Sequence, residues 1–176
     1  ATMQASKPNC RPVAVERPLA RFDPMATIGE RAPDFSLPDQ HGNTVTLAGR
    51  RGHRTLVFFY PKANTSGCTT QACGLRDVAE QIGDVAIIGI SPDSPTRQLN
   101  WDTKHTLGFP LLSDPDHAVA EAFGSWGQKK LYGKVYDGII RSAYLIDADG
   151  RIEQAWPKIS PKDTPIKLLA ALEAGS

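Results

Sequence analysis

The sequence predicts an α/β domain whose central mixed sheet lies between helices, and three observations lead there. Short apolar runs rich in β-branched and aromatic residues stand at 55–60 (TLVFFY), 85–90 (VAIIGI) and 139–146 (IIRSAYLI), the pattern of strands covered on both faces. Segments of helical apolar spacing separate these runs. Near the end, two strand-like segments joined by a turn precede a final helix. The resulting order, βαβαβ and then ββα, packs as a mixed sheet between helical layers.

Residues 1–24 carry Pro8, Pro12, Pro18 and Pro24, several arginines and few apolar clusters. They are expected to form an extended or disordered arm ahead of a single domain over 25–176. The arm shows no hydrophobic core of a signal peptide. Cys10 within it reads as a bystander thiol, with an intermolecular disulfide left open, and Met25 follows it. The strand at 55–60 stops at Pro61. After Gly67, apolar residues at Ala72, Leu75, Val78, Ala79 and Ile82 predict a helix that runs to a stop at Gly83. The strand at 85–90 leads through Ser91-Pro92-Asp93-Ser94-Pro95 into a polar helix ending near His105. A short strand at 109–112 contains Pro110 and so suits a sheet edge. A helix at 115–123 has Asp114 or Ser113 as its cap. Strands at 139–146 and 151–156 meet at Asp147-Ala148-Asp149-Gly150, whose Asp-Gly pair signals a tight hairpin. A last amphipathic helix begins near Thr164-Pro165 and ends before Gly175. No internal repeat or second domain is visible.

A chain of 176 residues with 40% hydrophobic and 22% charged content is ordinary for a soluble globule with a real core. A net charge of +1 offers no electrostatic case for nucleic-acid or membrane binding. No apolar stretch approaches the length of a membrane-spanning helix.

The chemistry concentrates at residues 61–73 (PKANTSGCTTQAC), which hold two of the three cysteines. Cys68 falls in the first turn of the predicted helix, with Thr65 or Ser66 able to cap it. Free backbone N–H groups and the helix dipole favour an anion there, which suits the position to a nucleophilic thiolate. Cys73 follows five residues later. On an intact helix that separation is a rise of about 7.5 Å and places the two Cα atoms roughly 8 to 9 Å apart. A disulfide tolerates no more than about 7 Å, so the two can join only if the first turns unwind. Such a pair is a poor staple and suits a cycle in which oxidation triggers local unfolding. Read blandly, both cysteines are small buried hydrophobes. A metal site is disfavoured: there is no CxxC, and His41, His53, His105 and His117 do not fall at ligand spacing around the cysteines.

Residues 58–77, FFYPKANTSGCTTQACGLRD, resemble the active-site segment of the peroxiredoxins, most closely the PrxQ or bacterioferritin comigratory protein subgroup. The resemblance runs from about 25 to 174. Ile28-Gly29-Glu30-Arg31-Ala32-Pro33-Asp34-Phe35 resembles the family's opening, and the stretch from Gly133 to Arg141 with Leu145-Ile146-Asp147 resembles its later strand. It implies a thioredoxin-like fold and a thiol-dependent peroxidase, an antioxidant enzyme that needs no haem, metal or other cofactor. Cys68 would attack the O–O bond of hydrogen peroxide or an organic hydroperoxide and become a sulfenic acid. Thr65 would hydrogen-bond the peroxide, Pro61 would shield the pocket from water, and the N–H groups of Gly67 and Cys68 would hold the peroxide oxygens. Arg141 would approach Cys68 from a neighbouring strand, where a permanent cation stabilises the thiolate and polarises the leaving oxygen. Cys73 would resolve the sulfenic acid as an intramolecular disulfide, recycled by thioredoxin or glutaredoxin. Gln71 would support the pocket's hydrogen bonds, or else be an exposed helix residue. The subgroup suggests a monomer, with a weak or concentration-dependent dimer as the alternative, while the absence of a signal and the redox-cycling use of cysteine favour the cytoplasm.

Ser66 departs from the family, which usually has proline there. Proline fixes the backbone of a helix start in advance, so the departure bears on the balance between wound and unwound forms. Trp126, in Gly124-Ser125-Trp126-Gly127, reads as a packing residue. The pair Lys129-Lys130 reads as a solvated face. Asp102 and His105 suggest a fragment of a hydrolase triad, yet no serine stands in a nucleophile elbow. The competing readings are a thioredoxin-like dithiol-disulfide oxidoreductase, which would use CxxC, and a redox-switched chaperone.

Overall fold

The computed structural model describes residues 26–174. The expected arm, Cys10 and Met25 lie outside the described residues. Among the described residues a β-hairpin of β1 (Ser36–Pro38) and β2 (Thr44–Thr46) comes first, followed by β3 (Thr55–Phe59), α1 (Ser66–Asp77), β4 (Ala86–Ser91) and α2 (Pro95–His105). Then come β5 (Leu111–Ser113), α3 (Ala118–Ala122), β6 (Trp126–Leu131), β7 (Lys134–Ile139), β8 (Ser142–Ile146), β9 (Ile152–Trp156) and α4 (Asp163–Ala174).

Five strands form the main sheet in the order β5-β4-β3-β8-β9. β3 pairs parallel with β4 and antiparallel with β8, and β4 pairs parallel with β5, so the sheet is mixed as expected. Every residue of β3 is buried, because successive side chains point to opposite faces and each face is covered. Leu56 and Phe58 join Ala143 and Leu145 beneath Cys68, Ala72 and Leu75 of α1, Trp101 of α2 and Leu168 of α4. Val57 and Phe59 join Ile88, Ile90, Tyr144 and Ile146 on the other face, against Ala120 of α3, Phe123 and the N-terminal residues Phe35 and Leu47. Pro110 lies just before β5, which is an edge strand as its proline suggested.

Several boundaries differ from expectation for physical reasons. α1 stops at Asp77, not Gly83: beyond it the chain closes short turns, with the Ala79 amide donating to Arg76 O and the Gln81 amide to Val78 O. α3 starts at Ala118 because His117 takes a positive φ of 50°. Asp114 nevertheless receives the Ala120 amide at 3.0 Å and the Val119 amide at 3.4 Å, satisfying helix-start donors from further back than a regular cap. The apolar run at 139–146 is two strands, not one. Ile139 ends β7, which pairs with β6, and Ser142 begins β8 of the main sheet. Ile140 and Arg141 are the crossing point, with the Ile140 amide donating to Ser125 O and Arg141 O accepting from the Ile159 amide.

Candidate active site

α1 begins where β3 delivers the chain to the rim of the sheet. The loop between them is tied down by Asp93, whose carboxylate accepts the Ala63 amide at 2.6 Å and the Ser91 hydroxyl at 2.7 Å and pairs with Arg97 at 3.1 Å. Asn64 turns the loop with a φ of 62°, a conformation asparagine tolerates better than most residues. Thr65 is the N-cap by position, and its carbonyl accepts the first intrahelical bond from the Thr69 amide at 2.9 Å. Its side chain makes no cap bond. The hydroxyl donates back to Lys62 O at 2.8 Å, and Ser66 is already inside the helix. The expected side-chain cap at Thr65 or Ser66 is therefore absent: the Thr65 hydroxyl is turned to Lys62 O and no helix amide donates to it.

Cys68 is fully buried in the first turn and Cys73 half-buried in the second. Both are free thiols on one continuous helix. That is the wound form, in which five helical residues keep the Cα atoms roughly 8 to 9 Å apart. Cys73 rests against the same core cluster as Leu169, Ala171 and Leu172 of α4. By helix geometry the amides of Ser66, Gly67 and Cys68 precede the first intrahelical bond and are available to an anion.

Arg141 reaches this helix start from the crossing between β7 and β8. Its Nη2 donates to Cys68 Sγ at 3.3 Å and its Nη1 to Gln71 Oε1 at 2.7 Å. It does not stand inside a strand, as the apolar run suggested. Its freedom from a ladder lets the backbone be fixed by Ile159 while the side chain turns toward α1. A Cβ on Gly67 would lie 3.3 Å from Arg141 Nη2 and 3.5 Å from Pro161 Cγ, so glycine there admits the guanidinium. Gln71 is fully buried, which rules out the exposed reading, and its Nε2 donates to Thr164 Oγ1 at 2.9 Å. Pro61 is half-buried at the start of the loop.

Sequence reasoning missed two residues here. Thr164 gave no signal beyond a helix start. Lys129, read as a solvated face, is half-buried, and its ammonium is pushed down first by burial and then by the Arg141 guanidinium, with the Cys68 sulfur opposing. Lys130 is exposed as expected. Lys129, Arg141, Lys158, Ile140 and Ile159 line a cleft of about 450 Å³. Trp126 packs on His117, ring centroids 3.6 Å apart and nearly parallel. Asp102 accepts from Gln40 and from the Gly108 amide, a structural use in place of a triad. Among the described residues no group of three or more His, Cys, Asp or Glu is arranged to hold a metal, and no helix is long and apolar enough to cross a membrane.

Residues 28–155 match the AhpC/TSA family. The chain is 53% identical to peroxiredoxin Bcp of Escherichia coli strain K12 over 130 residues, covering 73% of this chain and 83% of that protein. It is 45% identical to peroxiredoxin Bcp of Bacillus subtilis strain 168 over 148 residues, covering 83% and 94%. Among solved structures it resembles the Xanthomonas campestris bacterioferritin comigratory protein, described for its alkyl peroxide reduction activity, with a TM-score of 0.75, 34% identity and coverage of 80% and 91%. The peroxidoxin BcpB of Mycobacterium tuberculosis matches with a TM-score of 0.75, 33% identity and coverage of 85% and 97%.

Proposed function

As a member of the AhpC/TSA family, within its Bcp or peroxiredoxin Q group, the chain is a thiol-dependent peroxidase with a thioredoxin-like fold, and we propose that Cys68 is the attacking thiol and Cys73 the resolving one. The observation that carries this reading is the Arg141 guanidinium on Cys68 Sγ at 3.3 Å, at a helix N-terminus, with a second cysteine five residues on in the same helix. The Cys68 thiolate attacks the distal oxygen of the hydroperoxide. The S–O bond forms as the O–O bond breaks, the leaving oxygen takes a proton and departs as water or alcohol, and Cys68 becomes a sulfenic acid. Arg141 and the Gly67 and Cys68 amides offset charge on the sulfur and the leaving oxygen. Thr65 presents its hydroxyl to the peroxide after leaving Lys62 O, and Pro61 screens the sulfenic acid from water. Gln71 holds Arg141 in place.

The Cys73 thiol then displaces hydroxide from the sulfenic acid, water leaves, and a disulfide remains. Because the wound helix keeps the pair too far apart, the start of α1 unwinds first. An external dithiol reduces the disulfide. We assign that role to thioredoxin, with glutaredoxin the alternative, and read the enzyme as a cytoplasmic monomer on the strength of its redox-cycling thiols and its group. The test uses two variants. Cys68→Ser abolishes peroxide consumption, whereas Cys73→Ser completes one fast round and loses turnover with thioredoxin. Normal peroxide consumption by Cys68→Ser would sink the assignment.

A further inference from the structure

Building on the reading of Cys68 as the attacking thiol, we propose that Thr164, in the first turn of α4, is a positioning residue that sets the orientation of the Gln71 amide and through it aims Arg141 at the sulfur. Thr164 is 1% exposed. A threonine hydroxyl has a single proton to give, and Thr164 Oγ1 donates it to Ser160 O at 3.0 Å. Toward α1 that oxygen can then only accept, and it accepts from Gln71 Nε2 at 2.9 Å. The consequence falls at the other end of the amide. With its NH₂ committed to Thr164, Gln71 presents Oε1 to Arg141 Nη1, 2.7 Å away.

The two ends of a glutamine amide are nearly alike in shape, so packing alone does not choose between them. The chemistry of the neighbours does. A guanidinium has donors and no acceptor, so a reversed amide would set an NH₂ against it and lose the bond. Arg141 would then be held on one side only, while its other nitrogen bonds Cys68 Sγ. The Thr164 hydroxyl and the guanidinium thus demand the same amide orientation, and losing the hydroxyl loosens, across two intervening side chains, the hold of the cation on the thiol. Its own place is secure: a Cβ on Gly74 would lie 3.0 Å from Pro165 Cγ, so the first turn of α4 is seated directly on α1.

The same bond opposes the second step. Gln71 lies between the two cysteines in sequence, so unwinding this turn must release it from Thr164. Removing the hydroxyl therefore slows peroxide attack and speeds disulfide closure, two effects of opposite sign. In the full-length chain, Thr164→Val should lower the second-order rate of the first oxidation by hydrogen peroxide, followed by Trp fluorescence in stopped flow, roughly 3- to 10-fold, the worth of one hydrogen bond. Thr164→Ser should recover most of that rate. In a Gln71→Met background, Thr164→Val should slow the reaction no further. A Thr164→Val rate equal to that of the unaltered chain, a Thr164→Ser as slow as Thr164→Val, or an undiminished effect in the Gln71→Met background would each overturn the proposal. If Thr164→Val does not fold, Thr164→Ala and Thr164→Ser are compared under the same criteria. Cys68→Ser is measured alongside: its failure to lose activity would overturn the underlying assignment, whereas its loss together with an unaffected Thr164→Val would overturn this inference alone.

Discussion

Arg141 serves two acceptors at once, and its planar fork is what permits it. Nη1 holds Gln71 while Nη2 holds the Cys68 sulfur, a pairing that a lysine ammonium on a flexible stem does not reproduce. Arg141→Lys is expected to keep the charge near the thiol but lose the geometry, and Arg141→Met to lose both. The rate of the first oxidation should fall in that order, reaching about 10²-fold for Arg141→Met, on the scale of removing one preorganised donor from a reacting centre. Equal rates for the two variants would show that the retained charge contributes nothing and would contradict this order. A helix-start cysteine pair and three motifs in order singled out Cys68, Cys73, Thr65, Pro61 and Arg141 in the sequence, and of these the structure brings Arg141 onto Cys68. Thr164 and Lys129 were not legible. Their relevance comes from contacts across the fold, as between Thr164 and Gln71, which lie 93 positions apart, and no local pattern records such a distance.

At the scale of elements, strands with continuous apolar runs were read well, since burial on both faces leaves an unmistakable composition. The β6–β7 hairpin was not. Its turn is Tyr132-Gly133, with φ of 50° and 77°, and it lacks the Asn-Gly or Asp-Gly pair that marks such turns. Exposed Leu131, Tyr132 and Val135 blur the alternation further. That missed hairpin also hid the break that frees Arg141. Two predictions belong here. Gly89 on β4 faces Phe58, Tyr60 and Leu111, and a Cβ would stand 2.8, 3.0 and 3.1 Å from their side chains. Gly89→Ala should therefore destabilise by about 1 to 3 kcal/mol, seen as a lower urea midpoint, despite the gain in backbone entropy that alanine normally brings. The second concerns Asp114 at the start of α3. Burial pushes its carboxyl up, against the opposing pull of the Ala120 and Val119 amides. The folded state thus holds this proton more tightly than the unfolded chain does. The group's contribution is fully present below the ordinary carboxylate range and is lost as pH rises through the raised value. Asp114→Asn keeps an acceptor for Ala120 without the charge, so its urea midpoint should fall less than that of the unaltered chain between acidic and neutral pH. Parallel curves would remove Asp114 as the source.

For the molecule as a whole, the sheet acts as the frame and the helix start as the moving part. β3 is buried on both faces and Pro165 of α4 is seated against α1 at Gly74, so unwinding has to be confined to the turns of α1 ahead of Gly74. The family match begins at residue 28, which supports the proposal that residues 1–24 lie outside the catalytic domain. A chain starting at Met25 should therefore keep the peroxide rate and melting temperature of the full chain, and a marked drop in either would assign the arm a role. Ser66 gives α1 a start without the stiffening of proline, and the wound form is the one seen, with both cysteines free. The start of one helix thus alternates between attack, when wound, and resolution, when unwound. The most direct test of this alternation is stopped-flow Trp fluorescence of the reduced protein mixed with one equivalent of hydrogen peroxide, quenched along the time course for mass spectrometry. Two phases are predicted: a first that depends on peroxide concentration and yields Cys68 sulfenic acid, and a second that does not and yields the Cys68–Cys73 disulfide with loss of water. A final product lacking that disulfide, or oxidation that spares Cys68, would rule out this cycle.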